Sequence, residues 1–338
     1  MKNCLIKMVS ALALMTLTQA GFAETYKAEY RLSSVLAAPF SWGKSAERWA
    51  ELINKDTQGR IKIKIYNGGS LTGGDNTKEF SALRQGSIDL AIGTAQNWTS
   101  QIKELNLFSV PFLMPDYKAV DTILQGEIGT ELFRLISAKD VVPIAWGENG
   151  YRELSNSKHP IVKPDDLRSL KIRISASPTI IDSFVALGAN PTQMSWSDLQ
   201  VSLATGALDG QENPLELISI ARMPSLGQKH ITIWGHVYDP LIFAVNKEAW
   251  NSWTEADRKA VRQAGLQAAR EQVLQAREGT SPNSAIVKNL VDSGVTITRL
   301  SAVQIESFKQ KERGVYDKWS KIIGGDLVKK AEAAGKAQ

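Results

Sequence analysis

The chain has few of the side chains that build metal and redox centres. Its 338 residues include one cysteine, Cys4, and three histidines, His159, His230 and His236. No two of these histidines have the i, i+3 or i, i+4 spacing that places two metal ligands on one helix face. A zinc site is therefore not expected, a disulfide within the chain is impossible, and we expect no metal or other cofactor.

Motifs for phosphate binding and nucleophilic catalysis are missing as well. The sequence contains neither a G-x-G-x-x-G fingerprint nor a Walker A loop. The segment GGSLT at 68–72 begins like a nucleophile elbow, but Thr72 stands where the closing glycine would be. Acid pairs can still assemble from distant positions, so a secreted enzyme using carboxylates such as Asp209 and Glu212 stays open as an alternative.

Positive charge is present only in small excess. The formal net charge is +5, from 40 lysines and arginines against 35 aspartates and glutamates. These residues are spread along the chain and form no basic patch or tail. We therefore expect no nucleic-acid partner, whereas an anionic small molecule would be compatible with this balance.

Long hydrophobic runs are absent, since no segment reaches the roughly 18 apolar residues of a transmembrane helix. Residues 1–23 contain a shorter apolar run, preceded by lysines and followed by small residues. This order is typical of a secretory signal peptide, and we predict cleavage after Ala23 or, alternatively, after Ala20. Cys4 precedes the apolar run, whereas a lipoprotein cysteine would follow it. We expect an exported mature chain, whose roughly 315 residues suffice for a large core.

Strand and helix patterns alternate along the rest of the chain. RIKIKIY at 60–66 and LKIRIS at 170–175 have the two-residue period of half-buried strands, and IDLAIG at 88–93 is a continuous apolar strand. A long helix is predicted from Thr254 to about Lys288. Alternating strands and helices favour an α/β fold with largely parallel sheets, and the length suggests two domains.

Polar and aromatic residues gather near the ends of the predicted strands, where α/β folds commonly bind ligands. Arg152 and Arg173 lie on or after strands in an order that allows both to point at one anion. The pattern alone leaves alternatives open, since strand arginines are mostly solvated. Trp196 fits a core position as well as a binding platform, and Asn213 before Pro214 fits a turn.

Four segments, in their order, resemble the substrate-binding subunits of TRAP transporters, the DctP-type periplasmic proteins. They are RIKIKIYNGGSLTGG at 60–74, LNLFSVPFLMPD at 105–116, DLRSLKIRISASP at 166–178 and ALGANPTQMSWSDLQVSLATGALDGQENP at 186–214. The correspondence extends over essentially the whole mature chain, and the last segment is its most specific part.

The resemblance implies a two-domain α/β binding protein with a cleft between the domains, crossed by strands and by a long hinge-spanning helix. The helix predicted after Thr254 is the candidate for this element. The implied domain I is residues 24–149 plus 239–278, and the implied domain II is residues 150–238 plus 279–338.

The implied function is capture of a small organic acid in the periplasm, after signal-peptide cleavage, and delivery to a sodium-coupled TRAP membrane permease. We expect a monomer that performs no chemistry on its ligand. A sensory protein that presents its ligand to a receptor is a further alternative to transport.

The resemblance also assigns binding residues by position. Arg173 matches the family's principal arginine, which is expected to hold the ligand carboxylate in a two-point salt bridge. Arg152 matches a second family arginine, Asn213 an asparagine that donates to the same carboxylate, and Trp196 an aromatic that packs over the ligand. Further positions that commonly line the family's cleft are Thr94, Glu148, Ala176, His236 and Tyr238.

The sequence departs from the family pattern at a few positions. Gln193 replaces a usual proline, and Asp198 stands where glutamate is common. The first loop, VLAAPFSWG at 35–43, is apolar where relatives that bind polyhydroxylated acids often carry polar residues. This loop argues against a heavily hydroxylated ligand and favours a short aliphatic or aromatic acid.

Overall fold

The computed structural model describes residues 26–336, so the predicted signal peptide over residues 1–23 lies outside the described residues. The strands are β1 Tyr30–Ser34, β2 Ile63–Asn67, β3 Leu90–Thr94, β4 Val141–Asn156, β5 Lys171–Ile174, β6 Asn190–Gln193, β7 Gly210–Asn213, β8 His230–Asn246 and β9 Thr296–Arg299. The α-helices are α1 Ser41–Asp56, α2 Glu79–Arg84, α3 Ala95–Trp98, α4 Tyr117–Gln125, α5 Glu127–Ser137, α6 Pro178–Ala186, α7 Trp196–Ala204, α8 Leu215–Ile220, α9 Lys247–Asn251, α10 Glu255–Glu278, α11 Ala285–Asp292, α12 Ala302–Lys311, α13 Arg313–Ile323 and α14 Gly325–Lys336. Short 3-10 helices cover Ser70–Thr72, Asn76–Lys78, Lys103–Ser109, Pro164–Leu167 and Met223–Leu226.

The strands join in one sheet in the order β2-β1-β3-β8-β4-β7-β5-β6, with β9 beside β8. Parallel pairing of β1 with β2 and β3 forms one end, which we call the first block. Parallel pairing of β5 with β6 and β7 forms the second block. Between the blocks, β8 and β4 run antiparallel to each other and to their neighbours β3 and β7. The predicted α/β class is confirmed, with parallel blocks joined by antiparallel strands.

The two joining strands are unusually long, with 16 residues in β4 and 17 in β8. Their pairing is irregular at three points, of which the middle one falls between Glu148 and Gly150, opposite Pro240 and Asp239. Gly150 has a φ of +116°, a conformation that strains any residue with a side chain. Such an irregular step locally disrupts the pairing and bends the strand.

The sequence predicted shorter strands here than the structure contains. The apolar segments VVPIAWG at 141–147 and YDPLIFAVN at 238–246 predict strands, but the first strand continues to Asn156 and the second already begins at His230. Many of the added residues are polar, yet they are buried and find partners on neighbouring strands. Neither composition nor alternation reveals such residues, because their partners are remote in sequence.

The long helix begins as predicted but is shorter. The Thr254 hydroxyl caps it by accepting a hydrogen bond from the backbone N–H of Asp257. The helix ends at Glu278, before Gly279, and does not reach Lys288. A separate helix, α11, follows a loop and is capped by Ser284. α10 packs along α1 and β4, beside the irregular step.

Core clusters cover both faces of the first block. Successive residues of β3 point to opposite faces, so Ala91 joins one cluster and Leu90 the other. The Ala91 cluster includes Trp319 of α13 and Val328 of α14. These last helices thus pack on the first block, which differs from the predicted grouping of residues 279–338 with the second. No helix formed by residues 26–336 has both the length and the apolarity needed to cross a membrane.

Candidate functional site

A cavity of about 490 Å³ opens between the two blocks, beside the joining strands. Its walls come from the loops after β1 and before α2, the ends of β3, β5 and β7, the middle of β4 and β8, and the start of α7. Six of the predicted binding residues line it, namely Arg173, Arg152, Asn213, Trp196, Thr94 and Ala176. Residues that are up to 119 positions apart in the chain are therefore brought to one cavity by the sheet order.

The guanidinium of Arg152 is fully engaged within the protein. Its Nε and Nη2 donate to both carboxylate oxygens of Glu212, with Nη2 and Oε1 2.9 Å apart. Nη2 also donates to Asn213 Oδ1 at 3.0 Å, and Nη1 lies 3.4 Å from Asp239 Oδ2. Burial alone would lower the pKa of Arg152, but Glu212 and Asp239 hold that pKa above its ordinary value. Arg152 is thus a charged and rigidly positioned part of the wall.

Arg173 is as buried as Arg152 but differently partnered. It lies on β5 between β6 and β7, is 5% exposed, and donates from Nε to the backbone oxygen of Met194 at 3.0 Å. Within residues 26–336, no carboxylate forms an ion pair with Arg173 and no acceptor is bound by its two Nη atoms. Burial lowers the pKa of Arg173 to about 10, with Glu212 raising it and Arg152 lowering it further. A buried cation with unused paired donors is suited to an anion.

Glu212 connects the strands that carry the two arginines. Its Oε1 accepts a hydrogen bond from the backbone N–H of Ser175, at the end of β5, at 3.0 Å. Asn213, the next residue, donates from Nδ2 to Gln211 Oε1 while its Oδ1 accepts from Arg152. These contacts hold the ends of β5 and β7 and the Arg152 region of β4 at fixed positions around the cavity.

Asp239 of β8 is a second acid in the wall, 1% exposed. It accepts hydrogen bonds from Asn149 Nδ2 at 2.8 Å and from the backbone N–H of Gln96 at 3.3 Å. Burial raises the pKa of Asp239 to about 6, although Arg152 opposes this shift. Because its three neighbours all donate, the carboxylate form is the one that these contacts favour.

The outer wall of the cavity is partly apolar. Trp196, the first residue of α7, meets Phe40 edge to face, with ring centroids 6.2 Å apart. Trp42 lines the cavity from α1, and its Nε1 donates to the backbone oxygen of Ile92 at 3.0 Å. The Trp196 and Phe40 contact joins α7 to the loop before α1 across the cavity mouth.

Three predicted residues lie outside this lining in the described structure. Glu148 accepts from Arg277 Nε at 2.6 Å, on the side of the sheet that faces α10. His236 Nε2 lies 2.8 Å from Glu312 Oε1, in a buried pair. Tyr238 is fully buried within a hydrophobic cluster. None of the three is part of the cavity lining, and a role for them in ligand binding stays a prediction.

Sequence reasoning did not single out Asp239 and Asn149. Both lie one residue from a position that was chosen, next to Tyr238 and Glu148 respectively. Side chains alternate along a strand, so an error of one position moves a residue to the other face. The available signal was a polar residue beside a turn-forming residue within a strand pattern, Asn149 beside Gly150 and Asp239 beside Pro240.

Comparison with known proteins identifies the family. Residues 32–322 match the family model of the bacterial extracellular solute-binding proteins, family 7, known as DctP. The chain belongs to the DctP family. The resemblance predicted from the sequence is thereby confirmed, and the DctP family and its structural neighbours are substrate-binding proteins and not enzymes.

Similar proteins of known name or structure agree with this membership. The C4-dicarboxylate-binding periplasmic protein DctP of Rhodobacter capsulatus is 29% identical over 308 residues, which are 90% of each chain. A TRAP periplasmic solute-binding protein from Ralstonia eutropha, with bound (S)-2-acetolactate, is 52% identical, has a TM-score of 0.91, and aligns over 93% of this chain and 100% of its own. A TRAP solute-binding protein from Sulfurospirillum deleyianum, with bound succinate, is 25% identical with a TM-score of 0.84, over 90% and 98% of the two chains. This chain is a TRAP-type solute-binding protein of the DctP family, with the two-domain architecture of its structural neighbours.

Proposed function

We propose that this protein binds a small organic acid through its carboxylate, with Arg173 as the principal contact. The observation that carries the proposal is the buried, unpaired guanidinium of Arg173 in the cavity wall. An arginine fork binds both carboxylate oxygens at once, which a lysine cannot do. The ligand would supply the counter-charge that the described residues do not provide.

The remaining site residues would assist Arg173 in binding the ligand. Arg152 adds positive charge behind the carboxylate and, with Glu212, fixes the strand ends. Asn213 and Thr94 offer an amide and a hydroxyl to ligand oxygens, and Trp196 covers the ligand at the mouth. Ala176 follows β5 and contributes a small side chain to the wall.

The biological role that we infer is delivery of this acid to a sodium-coupled TRAP permease. The mature protein would act as a monomer in the periplasm, after cleavage of the signal peptide. Its hinge would lie at the irregular step of β4 and β8, with residues 24–149 plus 239–278 on one side and the rest, apart from the last helices, on the other. Family membership and the acid-bound relatives support this role.

Substitution of Arg173 tests the proposed contact. Purified mature protein should gain thermal stability with an organic acid such as 2-acetolactate, following RT ln(1 + [L]/Kd). Arg173→Ala should weaken binding by on the order of 2–5 kcal/mol, because a desolvated carboxylate loses its partner. Arg173→Lys should also bind poorly, since one ammonium cannot replace the fork.

A surface arginine provides the matched control. Arg168 pairs only with Asp165 in a highly exposed ion pair, so Arg168→Ala should leave ligand affinity unchanged. Calorimetric titration of all variants gives the affinities. Undiminished affinity in Arg173→Ala would exclude Arg173 as the principal contact.

A further inference from the structure

The charges around the cavity set a limit on the charge of its ligand. The charged residues in its lining are Arg152, Arg173, Asp75, Asp198 and Asp239. Two are cations and three are acids. A ligand that enters as an anion must therefore find its partner among only two positive groups.

One of the two cations is already neutralised. Arg152 binds both oxygens of Glu212 and also contacts Asp239. With Arg152, Arg173, Glu212 and Asp239 ionised, the buried wall has a formal charge of zero. The only cation in the lining without a carboxylate partner among residues 26–336 is Arg173.

The other two acids lie on opposite lips of the cavity. Asp75 belongs to the loop between β2 and α2, and Asp198 to the first turn of α7. The lips are close together, because a Cβ built on Gly74 would lie 3.4 Å from Ser197 Oγ. Lys78 pairs with Asp75 at 3.4 Å, but its side chain is 69% exposed and does not line the cavity.

Local hydrogen bonds hold both lip acids in place. Asp75 Oδ1 accepts from the backbone N–H of Thr77 at 3.0 Å and from its hydroxyl at 2.6 Å. Asp198 Oδ2 accepts from the Ser195 hydroxyl at 2.6 Å. The hydrogen bonds to Thr77 lower the pKa of Asp75, so this group is negative at neutral pH. The lips therefore present fixed negative charge to a ligand.

The apolar part of the cavity wall is suited to an uncharged ligand body. Val35, Leu36, Trp42 and Leu217 contribute apolar surface, and Thr94 contributes a hydroxyl. A methyl or short alkyl group would be buried favourably there. A second carboxylate would lose hydration and meet no free cation.

From this arrangement we propose that the cavity selects monocarboxylates and rejects dicarboxylates, with Asp75 and Asp198 as the residues that determine the selection. This inference rests on the proposed binding of a carboxylate by Arg173. It goes further by assigning the ligand a single negative charge and an uncharged remainder. The lip acids repel a second carboxylate through space, and the wall offers it no partner.

Matched pairs of acids test the selection in the unmodified protein. 2-Hydroxybutyrate and malate differ only in a terminal methyl against a carboxylate, as do 2-oxobutyrate and oxaloacetate. Calorimetric titration of the mature protein should give at least about tenfold tighter binding for the monocarboxylate of each pair, since an unpaired charge costs more than 1.4 kcal/mol. Equal or tighter binding of malate and oxaloacetate would overturn the selection.

Neutral variants of Asp75 and Asp198 test whether these two residues cause the weaker binding of dicarboxylates. In Asp75→Asn and Asp198→Asn, malate affinity should rise by about fivefold at low salt, while monocarboxylate affinity stays constant. Asparagine can still cap the turn after position 75, so the fold is preserved. Asp292→Asn, which makes the same change of net charge on an exposed residue, serves as the control and should leave both affinities unchanged.

The results distinguish a failure of monocarboxylate selection from a failure of carboxylate binding by Arg173. If none of these acids nor 2-acetolactate binds, or if binding survives Arg173→Ala, the carboxylate site itself is refuted. If binding depends on Arg173 but malate binds as well as 2-hydroxybutyrate, only the selection fails. If the selection holds but both lip variants match the Asp292→Asn control, the wall excludes the second charge and the role of the lip residues is refuted.

Discussion

Single buried charges in this protein differ in how they are compensated. Arg152 is surrounded by acceptors, whereas Arg173, on a neighbouring part of the same wall, is not. A third case is Glu79 of α2, which is 2% exposed and accepts hydrogen bonds from Ser33 Oγ at 2.6 Å and Trp98 Nε1 at 3.2 Å. Neither donor is charged, so burial dominates and raises the pKa of Glu79 to about 7.

Glu79 makes stability depend on pH in a predictable direction. Its pKa is higher in the folded protein than the value of 4.5 expected for the unfolded chain, so the folded state binds the proton more tightly. Stability from this group is therefore full below pH 4.5 and falls as pH rises toward 7. Relative to Glu79→Gln, the native protein should lose roughly 3 kcal/mol over this interval, at 1.36 kcal/mol per pKa unit.

Urea unfolding at a series of pH values measures this loss. Glu306, on the exposed surface, provides the matched control, and Glu306→Gln should follow the native pH profile. If the unfolding free energies of the native protein and of Glu79→Gln change with pH in parallel, Glu79 does not titrate in this range.

At the scale of elements, the start of α1 depends on a distant segment. Phe40, the residue before the helix, makes no side-chain cap. Glu216 of α8 instead accepts from the backbone N–H of Ser41 and from its hydroxyl, both at 2.6 Å. A carboxylate at a helix N-terminus is favoured by the helix dipole as well as by these hydrogen bonds. The contact therefore joins α1 and α8, whose sequence positions are 175 residues apart.

Loss of this remote cap should destabilise the protein measurably. Glu216→Ala is expected to cost about 1–2 kcal/mol of unfolding free energy, the usual range for a buried helix cap. Glu47→Ala, on the exposed side of α1, should cost far less unfolding free energy. Equal midpoints of urea unfolding for the two variants would show that Glu216 contributes nothing as a cap.

The difference between local patterns and contacts between distant residues explains which features the sequence could predict. Strands with a clear two-residue period, such as β2 and β5, are predicted from the sequence because the pattern is local. The arginines of the site were found because the family resemblance places them by position. The partners of Arg152 were not found, because Glu212 and Asp239 are 60 and 87 residues away and only the folded sheet brings them together. The resemblance gives His236 and Tyr238 as positions that commonly line the cleft, but it does not fix the sheet face on which each side chain lies, and in the structure neither is part of the lining.

At the scale of the whole molecule, contacts across the cavity mouth hold the two blocks together. Trp196 and Phe40 meet edge to face, and Thr99 Oγ1 donates to the backbone oxygen of Ala176 at 3.2 Å. Other side-chain contacts join the same halves of the molecule, among them Glu216 with Ser41 and Gln96 with Ser175, but the only continuous backbone pairing between these halves within residues 26–336 is that of β4 and β8. Rotation at the irregular step would break the side-chain contacts between the blocks and keep most of the pairing between β4 and β8.

Ligand binding should therefore favour a more compact form. Small-angle X-ray scattering of the mature protein should give a smaller radius of gyration when 2-acetolactate is present at saturation. Arg173→Ala, at the same acid concentration, should keep the larger value. An identical radius with and without a calorimetrically verified ligand would contradict hinge closure.

The sheet order also constrains when the chain can fold. β3, which ends at Thr94, finds its neighbour in β8, which ends at Asn246, so about 150 residues must be added before this pairing is possible. During synthesis the first block therefore has an open edge, and its stable form waits for late residues. If the signal peptide predicted over residues 1–23 directs export of the unfolded chain, the late arrival of β8 would help to keep the nascent chain competent for export.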